Sequence, residues 1–538
     1  MINTGRLILT LLILATSLKF AIFNGMLVAS FNLKPFAFNF VLFAIIFFFV
    51  YSLFRGRKKL FIFLYLFHVV FIIGNLGYTN YFHSFLYFDV LFKNFFEATR
   101  VIADFSMYSS WSMLIAFVDL PFFIVVLQKP AVVTGKKSYY VALALLICLI
   151  GWAYKKDIDP FFIYKDTWRG QNSIVDKYGI LTLQLIDYFS PKKKFVFDYG
   201  PTIDINSSNR SMNVLTIQVE SLDSDVVNAS YKNQQVMPFL SSLAKSSVYY
   251  PKMLSYHKGG GTTDADFCVL NSALPLLNYP AFKYDKNTYD NSIAKIFKSN
   301  GYTVKAFHNN DGRYFGRVFA YQKMGFDAFV DIADMGLPQY GWGARDGDVL
   351  DFVSQSIKQE QKPYFYHIIT MSSHGPYEYV SLYHKNHDYD DIKDSYTRNY
   401  FNSMNYVDLV IGKFLSSIDL SNTIVLIYGD HSSGSIKSWL YKSSSVKVGN
   451  EYIEYVPLNI ITPDKKHFVS NRCASFVDIA PTILANAGVS TKYRTYGESL
   501  VQNPNNLQNK IKWFGKDYDR VELFKAINEN SVMKNFRG

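Results

Sequence analysis

The sequence predicts a multi-pass α-helical membrane anchor of five spans, followed by an exported α/β domain with a mainly parallel central sheet. Two observations support this fold class. Apolar residues crowd into the first ~155 positions of a 538-residue chain that is 49% hydrophobic overall. From Asn213 onward, short apolar runs alternate with helical stretches, a pattern typical of a covered parallel sheet.

The anchor is predicted from five apolar stretches, each close to the length that a helix needs to cross a bilayer. A single such stretch at the N-terminus would also suit a signal peptide, but four more follow it. The predicted spans are Leu7–Ala29, Phe36–Phe54, Leu60–Tyr78, Met107–Leu127 and Tyr139–Ala153.

Basic residues in two of the connections predict the orientation of the anchor. Arg57 and Lys58 lie between the second and third spans, and Lys129 and Lys136 between the fourth and fifth. The positive-inside rule places both connections in the cytoplasm, so the chain after the fifth span lies outside the membrane. We therefore expect a multi-pass membrane protein with its exported domain on the extracytoplasmic face.

One acidic residue falls within a predicted span. Asp119, followed by Pro121, lies in the fourth stretch. A charged residue at membrane depth is a candidate functional residue, although a role in helix packing fits equally well.

The composition and the change in pattern also predict the domain boundaries. We expect an anchor at 1–155, a juxtamembrane linker at 156–212, an exported domain at 213–510 and a C-terminal tail at 511–538. The three cysteines allow no multi-disulfide framework and show no zinc-site spacing. The net charge of +12 suits an anionic membrane surface, and no nucleic-acid partner is expected.

Within the exported domain, apolar runs predict strands and amphipathic stretches predict helices. The predicted strands are Val214–Val219, Thr303–Phe307, Tyr364–Thr370, Thr423–Tyr428 and Leu458–Ile461. The predicted helices are Met237–Lys245, Asp264–Ala273, Ile293–Ser299, Arg313–Met324, Asp346–Gln359, Tyr396–Ser417 and Ser475–Ala487. Ligand sites in such sheets gather at the carboxyl ends of the strands.

A glycine-rich segment leads directly into one of these helices. Gly259, Gly260 and Gly261 precede Thr262, and the apolar helical pattern begins at Phe267. A threonine at a helix N-terminus is a candidate phosphate-binding group, or a nucleophile if its hydroxyl is activated. The alternative is an ordinary turn in which Thr263 or Asp264 caps the helix.

Polar residues follow two of the predicted strands directly. Glu220 ends the first strand, and Asp430 and His431 follow Gly429 at the end of the fourth. Each could be a solvated or capping residue, but with Thr262 they offer three oxygen ligands and one imidazole. That set suits one Mn²⁺ or Mg²⁺ ion, with Zn²⁺ also possible, and a bound cation would lower the pKa of the threonine hydroxyl.

Three further residues are candidates for handling phosphate. His308 and His374 lie at strand ends, where they could bind phosphate or move protons. Arg317 could clamp the transferred group, although a surface arginine on a helix is the simpler interpretation.

Four ordered strings resemble a known family. They are Val219-Glu220-Ser221-Leu222, Gly260-Gly261-Thr262-Thr263-Asp264-Ala265-Asp266-Phe267, Ser373-His374-Gly375-Pro376 and Tyr428-Gly429-Asp430-His431. Together with the five spans, they resemble the lipoteichoic acid synthases, which are phosphoglycerol transferases of the alkaline phosphatase and sulfatase superfamily. The resemblance covers nearly the whole chain and implies a sulfatase-like catalytic domain on the extracytoplasmic face of a bacterial cytoplasmic membrane.

The resemblance also implies roles for residues. Thr262 would be the nucleophile, sharing one Mn²⁺ with Glu220, Asp430 and His431. The glycerol-phosphate pocket would then be lined by His374, His308, Arg317 and Phe315. Phe315 stands where the family carries a tryptophan, Gly261 where it carries a lysine and Asn310 where it carries an aspartate.

The implied reaction moves glycerol phosphate from phosphatidylglycerol to a glycan or polyglycerol-phosphate acceptor at the membrane, through a glycerophospho-threonine intermediate. A relative that decorates another glycan or primes a polymer fits equally well. The alternatives are a phosphoethanolamine transferase of the same superfamily and a non-catalytic membrane binding module. A sulfatase is disfavoured because the Gly-Thr-Thr site lacks a Cys/Ser-x-Pro-x-Arg motif.

Overall fold

The structure is a computed structural model, and its contacts divide the chain into two units. One unit comprises Met1–Val196 with Val532–Gly538, and the other comprises Phe197–Ser531. The structure describes residues 4–28, 31–54, 57–82, 85–88, 110–128, 140, 144, 174–189, 197, 199–207, 211–255, 260–276, 280–284, 287–433, 441, 443, 445–448, 451–472, 474–501, 510–513 and 516–519.

The first unit contains long apolar helices. Among its described residues, four stretches are long and apolar enough to cross a membrane: Leu7–Val28, Leu33–Tyr51, Lys58–Thr79 and Trp111–Gln128. These stretches correspond to the first four predicted spans, whereas the fifth, Tyr139–Ala153, lies almost wholly outside the described residues. The helices and 3₁₀ segments of this unit are Thr4–Val28, Leu33–Phe54, Lys58–Phe82, Trp111–Phe117, Leu120–Gln128 and Ile180–Phe189.

Asp119 takes part in a fully buried ion pair between these helices. Its Oδ1 lies 2.6 Å from Nζ of Lys19, and both side chains are inaccessible to solvent. Thr16 donates a hydrogen bond to Asp119 Oδ2 at 2.6 Å, and Tyr65 donates one to Oδ1 at 2.9 Å. Lys19 Nζ is also 2.9 Å from Nε2 of His68. The contacts of Asp119 are therefore those of a residue that joins helices.

The second unit is built on a mixed sheet of ten strands within the described residues. Across the sheet the order is Phe468–Val469, Val248–Leu254, Glu451–Ile461, Thr423–Gly429, Asn213–Val219, Tyr364–Ile369, Thr303–His308 and Ala328–Val330. The last five strands in this order are parallel, whereas Glu451–Ile461 is antiparallel to both of its neighbours. Two short strands lie off this path, Ser445–Val448 and Ala474–Ser475.

Helices cover the sheet and complete its core. They are Pro238–Leu243, Thr262–Asn271, Ile293–Ser299, Arg317–Met324, Ile332–Met335, Asp346–Gln359, Ser395–Ser416 and Ile479–Asn486. The longest, Ser395–Ser416, contributes Val407 and Ile411 to a core that also contains Leu215 and Val425 of the central strands, all fully buried. Each such side chain stabilises the fold by about 1.5–3 kcal/mol relative to exposure.

Shorter elements complete this unit. Thr202–Ile205 pairs antiparallel with Thr491–Arg494, so a segment of the predicted linker belongs to a sheet of this unit. The remaining described strands are Ser230–Tyr231, Gln234–Gln235, Lys510–Trp513 and Lys516–Asp519. The 3₁₀ segments are Val226–Asn228, Ala281–Lys283, Tyr314–Gly316, Tyr379–Leu382, His387–Tyr389 and Phe476–Asp478.

One predicted helix is divided in the structure. We expected Arg313–Met324 to be continuous, but the α-helix begins at Arg317, after a 3₁₀ turn in which Phe315 has a φ of 55°. A left-handed conformation raises the conformational energy of a residue with a Cβ atom. It also interrupts the helical backbone at Phe315, so the 3₁₀ turn and the α-helix are separate elements. The expectation of one unbroken helix was therefore wrong.

Candidate active site

The register of two parallel strands brings Glu220 and Asp430 together. Val219 pairs with Gly429, so the residues that follow them leave the same edge of the sheet side by side. Ser221 fixes both carboxylates: its N–H donates to Asp430 Oδ1 at 2.8 Å and its hydroxyl to Glu220 Oε1 at 3.0 Å. To do so, Ser221 adopts a φ of 54°, in the left-handed region.

His431 completes this cluster. Its Nε2 lies 3.2 Å from Glu220 Oε1 and 3.6 Å from Asp430 Oδ2. Its Nδ1 lies 2.8 Å from the carbonyl oxygen of Ser432, and because a carbonyl can only accept, Nδ1 carries the hydrogen. Such a carbonyl contact orients an imidazole ring so that Nε2 is directed as a ligand.

Thr262 is the first residue of its helix and contacts the same cluster. Its Oγ1 donates to Glu220 Oε2 at 3.0 Å, and its side chain is half-buried. The helix starts earlier than we predicted because Gly261 is its N-cap, with a φ of 54° that favours glycine. The capping alternative was also imprecise: Asp264 accepts from the N–H of Gly260, while Thr263 donates to the Gly260 carbonyl.

Charge is crowded within the cluster. Burial raises the pKa of Asp430 well above its usual value, and the charge of Glu220 raises it further. Burial opposes ionisation of Glu220, but the neighbouring His431 holds the pKa of that carboxyl low. Although burial opposes the charged imidazole, Asp430 and Glu220 raise the pKa of His431 well above its usual range. A bound cation would relieve this repulsion.

The donor set fits a divalent metal ion. One ligand atom from each of Glu220, Asp430 and His431 lies within 4.8 Å of the others, and all three residues are buried. Asp430 Oδ2 is buried without a hydrogen-bond partner among the described residues, which leaves an acceptor for a cation. Two carboxylates, a hydroxyl and an imidazole suit Mn²⁺ or Mg²⁺, and Zn²⁺ also accepts such ligands.

Arg317 is buried, which differs from the surface position that we considered simplest. Only 1% of the residue is exposed, and its Nε donates to Asp266 Oδ2 at 3.0 Å. Its Nη1 donates to Nε2 of His308 at 3.4 Å, while its Nη2 has no partner within the described part of the chain. A buried guanidinium with an unused donor is suited to bind an anion such as a phosphoryl group.

His308 is also fully buried. Its Nδ1 donates to the Ile369 carbonyl at 3.3 Å, and burial together with the charge of Arg317 lowers its pKa well below the usual value. A neutral His308 is therefore a suitable acceptor for Arg317.

His374 and Phe315 complete the predicted set. His374 is half-buried, and its Nδ1 donates to the Gly375 carbonyl at 2.7 Å. Ser373, the residue before His374, donates to the Glu220 carbonyl at 2.5 Å, which places His374 next to the cluster. Phe315 contacts Tyr314, with ring centroids 4.9 Å apart, and the Lys283 ammonium lies 4.8 Å from its ring centre.

Two residues at the site were missed from the sequence. Asp266 pairs with Arg317, and its Oδ1 accepts from Gln218 Nε2 at 2.5 Å. Its spacing of four residues from Thr262 was a usable signal, since residues at i and i+4 share a helix face. Ser221 had no comparable signal, because its role depends on a left-handed backbone conformation.

Comparison with known proteins identifies the family of the domain that contains this site. A family model described as Sulfatase matches residues 212–489, which is more than half of the chain.

Two curated relatives extend the comparison. Lipoteichoic acid synthase 2 of Bacillus subtilis is 26% identical over 403 residues, covering 68% of this chain and 61% of that protein. Lipoteichoic acid synthase of Staphylococcus aureus is 25% identical over 350 residues, covering 60% of this chain and 53% of that protein. The matches thus span about half to three-fifths of the length of these relatives.

A solved structure shares the fold over most of the chain. The integral membrane protein lipooligosaccharide phosphoethanolamine transferase A from Neisseria meningitidis superposes with a TM-score of 0.55 at 15% identity. The superposition covers 89% of this chain and 95% of the neisserial chain. At this identity the likeness concerns the fold alone.

Proposed function

Because the chain belongs to the sulfatase family, we propose that it is a membrane phosphoglycerol transferase. It moves glycerol phosphate from phosphatidylglycerol to a hydroxyl of a glycan or polyglycerol-phosphate acceptor. The curated relatives are named lipoteichoic acid synthases, the family that the sequence motifs resemble, and that resemblance implies glycerol phosphate as the transferred group. The apolar helices support a membrane anchor, which brings the domain to a lipid donor at the extracytoplasmic face.

One observation carries the proposal. The hydroxyl of Thr262 donates to Glu220, which lies in contact with His431 and shares Ser221 with Asp430. Glu220, Thr262, Asp430 and His431 would hold one Mn²⁺, or Mg²⁺ or Zn²⁺. When bound, the cation lowers the pKa of the threonine hydroxyl and neutralises charge on the phosphoryl group.

The reaction follows from the residues around Thr262. The Oγ1 of Thr262, which is half-buried, loses its proton to water and attacks phosphorus. The Oγ1–P bond forms, and the bond between phosphorus and the diacylglycerol oxygen breaks. The leaving oxygen takes a proton, for which His374 is the candidate donor. Arg317 would bind the phosphoryl oxygens through its unused Nη2, and the neighbouring His308 would orient the guanidinium by accepting from its Nη1.

The second half of the reaction restores the enzyme. An acceptor hydroxyl attacks the phosphorus of the glycerophospho-threonine intermediate, and the P–Oγ1 bond breaks. The acceptor proton passes to His374 and replaces the one given to diacylglycerol, and Thr262 takes a proton from water. Phe315 would provide an apolar wall for the glycerol part.

A donor assay tests the proposal. Full-length wild type and T262A are given fluorescent phosphatidylglycerol in detergent with Mn²⁺ or EDTA, and diacylglycerol release is followed. We expect release from wild type with Mn²⁺ alone, and a loss of at least ~10³-fold in T262A, because the covalent step has no nucleophile. T491A, which removes a threonine hydroxyl from the Thr491–Arg494 strand, is the matched control.

Two results would count against the proposal. Equal release by T262A and wild type would show that Thr262 is not the nucleophile. Release that is unchanged in EDTA would show that the reaction needs no metal ion. Phosphatidylethanolamine in the same assay tests the phosphoethanolamine alternative. The absence of release from every donor, with intact folding, would favour a binding module instead.

A further inference from the structure

Trp342 lies against one of the predicted site residues. Its ring centroid is 4.6 Å from that of His374, with 44° between the planes, and 6.3 Å from that of Tyr314. Only 9% of Trp342 is exposed, and its Nε1 is buried without a hydrogen-bond partner in the described part of the chain. Because a buried indole N–H normally has an acceptor, this donor is available for a ligand.

A tight turn holds Trp342 in this position. Tyr340 N donates to the Gly343 carbonyl at 2.7 Å, and Gly341 in the turn has a φ of +65°. The turn is fixed to Asn309, the residue after His308, by a hydrogen bond of 2.8 Å from Ala344 N to the Asn309 carbonyl. A Cβ atom on Gly343 would lie 2.5 Å from that carbonyl oxygen, so the approach requires glycine.

We propose that Trp342 is a specificity-determining residue that binds the glycerol part of the donor headgroup. Its ring packs against the C–H groups of the glycerol, and its Nε1–H donates to a glycerol hydroxyl. This assignment rests on the proposed transferase function. Phe315 cannot supply this interaction because a phenyl ring has no hydrogen-bond donor.

The chemistry of Nε1–H predicts a preference between headgroups. A glycerol hydroxyl has lone pairs that accept from an indole, whereas the ammonium group of ethanolamine is a donor only. An aromatic ring by itself would favour the ammonium group through a cation–π interaction. The N–H group therefore provides the discrimination in favour of glycerol, and the ring provides contact area.

Replacing Trp342 by phenylalanine separates the two contributions. Full-length wild type and W342F are assayed for diacylglycerol release from phosphatidylglycerol and from phosphatidylethanolamine in mixed vesicles with Mn²⁺. We expect W342F to raise KM for phosphatidylglycerol roughly five- to tenfold, the effect of one lost hydrogen bond, with little change in kcat. Release from phosphatidylethanolamine should be equal to or faster than that of wild type.

A matched control removes a different indole. Trp111 is 89% exposed in the first unit, and W111F should behave as wild type in both assays. A purely positional role for Trp342, acting through His374, would lower kcat for both donors equally. That result would overturn the assignment.

A binding measurement distinguishes failure of this assignment from failure of the proposed function. Calorimetry with sn-glycerol 1-phosphate should give a Kd roughly five- to tenfold weaker for W342F than for wild type. If wild type is active and W342F keeps both its donor ratio and its Kd, the assignment alone fails. If wild type releases no diacylglycerol and binds no glycerol phosphate, the proposed function fails and the assignment fails with it.

Discussion

Asp266 holds Arg317 in a buried ion pair, with Oδ2 of the carboxylate 3.0 Å from Nε of the guanidinium. Asp266 lies on the helix that begins at Thr262, so one helix provides both the candidate nucleophile and the counter-ion of the candidate phosphate clamp. The positions of Thr262 and Arg317 are therefore linked through a single rigid element.

We expect D266N to destabilise the protein strongly. The substitution leaves Arg317 buried without a counter-charge, a change that typically costs about 3–5 kcal/mol. Urea unfolding of the wild type and D266N measures this loss. D311N, which removes the partner of the exposed Arg313, is the control and should leave the unfolding midpoint unchanged. Equal midpoints for D266N and wild type would show that the pair does not hold Arg317.

We expect D430N to have opposite effects with and without metal. In EDTA the variant should melt roughly 2–4 °C higher than wild type, because one of two crowded carboxylates becomes neutral. Addition of Mn²⁺ should raise Tm of wild type but not of D430N, since a ligand is lost. Thermal unfolding followed by circular dichroism reads both effects. A Mn²⁺ shift of the same size in D430N would argue against the metal site.

Asp346 predicts a pH dependence of stability. It accepts hydrogen bonds from Met371 N and Ser372 N, and burial raises its pKa from 3.8 to about 6. Since the folded state binds this proton more tightly than the unfolded chain, the unfolding free energy falls as pH rises from about 4 through 6.

The variant D346N tests this dependence. Because Asn does not titrate, the unfolding free energy of D346N should lack this pH dependence. The difference in unfolding free energy between wild type and D346N should therefore shrink as pH rises from about 4 through 6. Urea unfolding in EDTA at pH 4, 5, 6 and 7 measures the difference. A difference that stays constant or grows with pH would contradict the raised pKa.

Replacing both members of the buried Lys19–Asp119 pair should restore stability that is lost when only one is replaced. K19M or D119L alone leaves one charge buried and unpaired, with an expected loss of about 3–5 kcal/mol. The double variant removes both charges and should recover most of that loss. Thermal unfolding of the full-length protein in detergent compares the four forms. Additive losses in the double variant would show that the two residues act independently.

The sequence predicted the central strands well because they are near-continuous apolar runs. Asn213–Val219 and Thr423–Gly429 were identified to within one residue. The Val248–Leu254 strand was missed because Pro251 and Lys252 interrupt its apolar pattern. Such interruptions are tolerated in context, which periodicity alone does not reveal.

The sequence also predicted some features of the candidate site and not others. Glu220 and Asp430 could be predicted as neighbours, since the ends of parallel strands share one edge of a sheet. The burial of Arg317 could not, because its partner is 51 positions away in the sequence. The position of Trp342 beside His374 could not be predicted, because the Gly341-Trp342-Gly343 segment has the pattern of an ordinary surface loop.

The Lys19–Asp119 pair also constrains how the protein is made. The two residues are separated by 100 positions, so the ammonium group enters the nascent bundle long before its carboxylate is translated. A lysine without its counter-ion is poorly tolerated at membrane depth. The position of the first helix is therefore stabilised only after the segment containing Asp119 has been inserted. Assembly of the anchor thus depends on both segments being present.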